Sequence, residues 1–172
     1  MTTTENSTNQ EASANAEISA QDTDFLEKVM KKGNVSSLYE ARDITEIVFR
    51  TMRDLMTTEA VEEVKEELHT EISAANKTGQ EEVADLWKDS NPIVRFLSQV
   101  RPKLKFDDDT FLFRVDKEGG VPQTTDSNAE RTPPETVVSA VFSATKDELS
   151  AEKVAEIADF MPGKIRTLWE EA

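Results

Sequence analysis

The chain has 172 residues, with 35 acids against 20 bases and a net charge of −15, a surface that repels nucleic-acid backbones and argues against general DNA or RNA binding. It has no cysteine and a single histidine, His69, which excludes disulfides, thiolate zinc sites, cysteine nucleophiles and any site needing two imidazoles. No apolar run approaches the roughly 20 residues of a membrane span, and no Lys or Arg precedes Lys28 as a secretory signal would require, so a soluble, cytoplasmic protein without integral membrane association is expected.

Residues 1–23 are mostly Thr, Ser, Asn, Gln, Ala and Glu. Ile18 is their only large aliphatic residue after Met1, and Glu5, Glu11, Glu17 and Asp22 face no base. Such a stretch cannot bury enough apolar area to offset the entropy of ordering it, so a disordered acidic tail is expected. Its charge of −4 leaves −15 + 4 = −11 on the body. From Asp24 helical periodicity takes over. Phe25, Leu26 and Val29 form an apolar stripe that stops at Gly33, read as a left-handed terminator. Ser37 and Glu40 have the spacing of a capping box, and Leu38, Ala41, Ile44, Val48, Met52 and Leu55 mark one face of the helix behind it.

Thr57 or Thr58 caps a third helix, with Val61, Val64, Leu68, Ile72 and Ala75 on its buried side. A break at Asn76–Gly79 and a shorter helix around Val83, Leu86 and Trp87 follow. Asn91-Pro92 restarts a helix carrying Ile93, Phe96, Leu97 and Val100, which Pro102 ends. Residues 121–134, with Pro122, Pro133 and Pro134, read as a loop. A last helical pair carries Val137, Val138, Val141 and Phe142, then Val154, Ile157, Phe160 and Met161. Pro162-Gly163 interrupts it before Ile165, Leu168 and Trp169.

The chain repeats itself. Asp24–Val35 aligns with Thr110–Val121 at an offset of 86, with Phe25, Leu26, Val29, Lys31, Gly33 and Val35 recurring identically. Ile44–Val64 aligns with Val137–Ile157 at 93, and Leu86-Trp87 with Leu168-Trp169 at 82. The offsets change only across predicted loops or breaks. Repetition also settles residues 110–118: Phe111, Phe113 and Val115 alternate as a strand would, but their twin FLEKVMKK has helical composition, so a helix is expected there. The fold class is all-α, two tandem copies of one helical unit packed as a pseudo-symmetric bundle. Unit one spans 24–89, a connecting helix and loop 90–109, and unit two 110–172.

The opening FLxxV of each unit, the long VF-containing helix and the closing LW pair resemble a bacterial family known only as a domain of unknown function, number twenty-two sixty-seven. Asn91-Pro92, LKFDDDTFLFRV and the ending ATKDELSAEKVAEIADFMPGKIRTLWEEA look like its cyanobacterial form. The resemblance covers residues 24–172. It implies an all-α fold and brings no activity, cofactor or catalytic residue. One departure stands out: Met161-Pro162-Gly163 in the second unit faces Leu68-His69-Thr70 in the first, so the helix break should be weaker or absent there.

Several groups invite chemistry. Asp107-Asp108-Asp109 offers carboxylates to a hard cation but lacks the Ca²⁺-loop spacing, and acids before a helix also serve its dipole, with Asp109 as cap. His69 has no partner nucleophile or metal motif and reads as a surface histidine. Glu62, Glu63, Glu66 and Glu67 read as a solvated helix face. Trp87 and Trp169 read as core anchors. The segment Pro92–Phe106 differs: Arg95, Arg101, Lys103 and Lys105 stand there without an acid, in a chain of net −15. Either they hold an anionic partner, or they sit on a linker and neutralise the domain's own acids. Lacking signatures for a nucleophile, base, metal or cofactor, the sequence favours a non-enzymatic module that binds protein or regulates. The alternative is a ligand-binding protein or enzyme with a carboxylate-lined pocket between the units.

Overall fold

The computed structural model describes residues 20–75, Trp87, 103–118 and 132–172. Among these, every regular element is an α-helix: α1 (Ala20–Gly33), α2 (Leu38–Leu55), α3 (Thr58–Ala75), α4 (Asp108–Glu118), α5 (Pro134–Lys146), α6 (Ala151–Phe160) and α7 (Gly163–Glu171). The helix expected over 110–118 is α4. The expected tail over residues 1–19 and the expected connecting helix lie outside the described residues. Helix α1 starts at Ala20, three residues before the tail's expected end at 23. Asp24, at its fifth residue, lies toward the positive end of the helix dipole.

Helix ends follow local chemistry. Ser37 Oγ accepts the Glu40 N–H at 3.2 Å, and the Glu40 carboxylate reaches back to the N–H of Ser36 rather than Ser37. Thr57 Oγ1 accepts from Ala60 N at 3.3 Å, and Ser150 Oγ from Lys153 N at 3.3 Å. At the end of α1 the left-handed residue is Asn34, φ 51°, and not Gly33. The Val35 N–H closes the turn on Met30 O at 3.0 Å, as in a Schellman motif. Gly33 serves packing instead: a Cβ there would stand 3.3 Å from the Cβ of Ala140 on α5.

Four helices enclose the core. α1 packs against both α2 and α5, and α4 packs against both α5 and α2. Their apolar stripes meet in a single cluster containing Phe25, Val29, Ile44, Phe49, Phe111, Val115, Val141 and Phe142. Two aromatic triads organise it. Phe25 and Phe49 lie 6.3 Å apart, and Phe49 meets Trp87 edge-on at 5.0 Å. Phe111 and Phe142 lie 6.3 Å apart, and Phe142 meets Trp169 edge-on at 5.0 Å. Both indoles are buried, donating to Val61 O at 3.0 Å and to Val154 O at 2.8 Å. The carbonyl of Trp87 takes the Arg53 guanidinium, and that of Trp169 takes Lys146 Nζ at 2.8 Å.

Charged pairs run between the same helices. Lys28 of α1 pairs with Asp147, just past α5, and Arg114 of α4 pairs with Asp54 near the end of α2 at 2.9 Å. Lys28 and Arg114 stand 86 apart in sequence, and Asp54 and Asp147 stand 93 apart. In each pair the base comes from an opening helix and the acid from the other half of the chain, Asp54 within α2 and Asp147 at the C-cap of α5.

α3 runs unbroken through Leu68-His69-Thr70, whereas α6 ends at Phe160 and α7 restarts at Gly163. The expected difference between the two segments is therefore present.

Because Phe49 and Phe142 are both fully buried at the centre of their triads, Phe49→Ala and Phe142→Ala should each lower stability by about 3–5 kcal/mol. Chemical denaturation of the full chain measures both. A loss below about 1 kcal/mol for either would contradict this account of the core.

Candidate functional site

Of the four bases singled out in the sequence, Arg95 and Arg101 lie outside the described residues. Lys103 and Lys105 are exposed on the irregular segment 103–107 that precedes α4. That segment is pinned by the Leu104 N–H, which donates to Asp54 O at the end of α2 at 2.7 Å. Lys103 Nζ lies over the Phe160 ring, 5.2 Å from its centroid. Neither lysine pairs with an acid among the described residues. Phe106 is partly buried beneath the Arg114 guanidinium, 5.4 Å from the ring centroid, and Arg114 also holds Asp54.

The three aspartates next to this segment have separate tasks. Asp107, not Asp109, caps α4: its Oδ1 accepts the Thr110 N–H at 2.9 Å. Hydrogen bonds from the Thr110 side chain and then its backbone hold the Asp107 carboxyl below its ordinary value. The cap moves back two residues because the helix begins at Asp108, which puts the carboxylate of 107 over the third helical N–H. Asp108 crosses to another helix. Its Oδ2 accepts the Lys164 N–H at 2.9 Å, supplying α7 with the cap that Pro162 lacks. Gly163 makes this possible: its φ is +37°, and a Cβ there would meet Asp108 Oδ2 at 2.7 Å. Lys164 Nζ then pairs with Glu135 at 3.0 Å, and backbone hydrogen bonding, partly opposed by desolvation, holds Glu135 below its ordinary value.

The glutamates of α3 are not all solvated, as the sequence had suggested. Glu67 accepts the Ser150 N–H at the start of α6, and Glu63 pairs with Lys153. Lys153 Nζ also holds Glu156 at 2.7 Å, so one ammonium joins Glu63 to the residue 93 places later. No spacing within α3 foretells these contacts, because they depend on where the first turn of α6 falls beside it. Hydrogen bonds to Glu156 and then Glu63 hold the Lys153 ammonium well above its ordinary value. The side chain of His69 lies outside the described residues.

Between α1, α5 and α7 lies an open depression of about 460 Å³ bordered by Lys32, Glu135, Ser143, Leu168 and Glu171 among others. Lys32 Nζ donates to Ser143 Oγ at 2.6 Å. A serine nucleophile driven by lysine requires a desolvated amine, and Lys32 is exposed. Glu135 is already paired with Lys164. Among the described residues no group of three or more His, Cys, Asp or Glu side chains is arranged to hold a metal ion, and no helix is long and apolar enough to cross a membrane.

The family model described as "Uncharacterized conserved protein (DUF2267)" matches residues 22–168. No curated protein matches the chain.

Lys153→Met should leave Glu63 and Glu156 without their shared cation and lower the melting temperature at neutral pH. A lysine whose folded value is raised contributes stability that is fully present below its unfolded value of about 10.4 and fades as pH climbs through the folded one. The gap between wild type and variant should therefore stay constant from about pH 7 to pH 10 and shrink above that. Thermal melts across this range test it; a gap that closes below pH 9 or so would contradict the assignment.

Proposed function

The chain belongs to the DUF2267 family of uncharacterized conserved proteins, and from that premise we propose that it is a non-enzymatic module that binds protein partners through helical surfaces. One observation carries the reading: the charged side chains with the best-defined geometry are occupied in building the domain. Asp107 and Asp108 cap helices, Lys146 closes the end of α7, and Lys153 joins α3 to α6. Chemistry on a substrate needs polar groups converging on a reacting atom, and these converge on helix ends.

We read the domain as two copies of one unit, 24–89 and 110–172, in pseudo-symmetric arrangement. Support comes from the aromatic triads with equal centroid distances, the indoles bonded to Val61 and Val154, and the exchanged pairs Lys28–Asp147 and Arg114–Asp54. A cytoplasmic location and an origin in the cyanobacterial branch also belong to this reading, on the sequence features given above.

A second reading has one observation in its favour. The depression beside Lys32 holds Glu135 and Glu171, and a ligand-binding protein or enzyme would place its site there.

Affinity capture from native lysate, with the full chain and with a chain lacking residues 1–23, separates the two readings when combined with a metabolite thermal-shift screen. The module reading expects proteins retained by the full chain and equally by Lys32→Ala/Glu171→Gln. A small molecule that stabilises the wild type, and loses its effect in that double variant, would establish the ligand-binding reading instead.

A further inference from the structure

We draw no further inference here: the strongest candidate, the open depression between α1, α5 and α7 bordered by Lys32, Ser143 and Glu171, belongs to the site already described, and nothing in the structure selects the chemistry of an occupant.

Discussion

The close approach of α1 to α5 is the contact on which the rest of the domain depends. Gly33 eases it, because a Cβ there would stand 3.3 Å from the Cβ of Ala140, tighter than ordinary van der Waals contact. The approach brings Lys28 to Asp147 and Lys32 to Ser143, and it seats Phe25 and Val29 in the shared cluster. On the other side of the core, α4 lies on α2 with Arg114 on Asp54. Each opening helix thus takes much of its packing from the distant half of the chain. A helix of 14 or 11 residues is marginal alone in water, so α1 and α4 are stabilised by what they bury rather than by propensity. Edge-on aromatic contacts of the kind made twice here add about 0.5–1.5 kcal/mol each beyond their area.

The two halves differ where the second breaks a helix that the first keeps whole. Pro162 cannot continue α6, and Gly163 adopts a backbone conformation that a side chain would strain. The new helix start exposes N–H groups, and Asp108 from α4 takes one of them. In the first half Leu68-His69-Thr70 keeps α3 continuous. The break shapes the surface as well as the core: it ends α6 at Phe160, over which Lys103 lies. The segment that presents Lys103, Leu104 and Lys105 thus meets the end of α6 through Lys103 and the end of α2 through the Leu104 N–H.

Most of the helical content was legible in the residues, because apolar positions at spacings of three and four leave few other choices. The alternating Phe111, Phe113 and Val115 were resolved as a helix by their twin, and Phe113 is the residue of the three left in solvent. Turn chemistry was less legible. Gly33 looked like the left-handed residue, but the chain uses Asn34 there and keeps glycine for packing, a choice only the neighbouring helix reveals. Asp109 looked like the cap, but Asp107 takes that role and Asp108 serves α7. Glu63 and Glu67 looked solvated because no local pattern foretells that Lys153 and Ser150 lie opposite them. The basic strip was visible as composition.

The central claim is that each half of the chain completes the core of the other. Circular dichroism and sedimentation on two separate fragments, residues 1–102 and 103–172, test it most directly. The account predicts that neither fragment is a stable helical monomer, each being unfolded or self-associated. Mixing them should restore cooperative unfolding in a one-to-one complex. A fragment 103–172 that stays monomeric, helical and cooperatively folded on its own would contradict it.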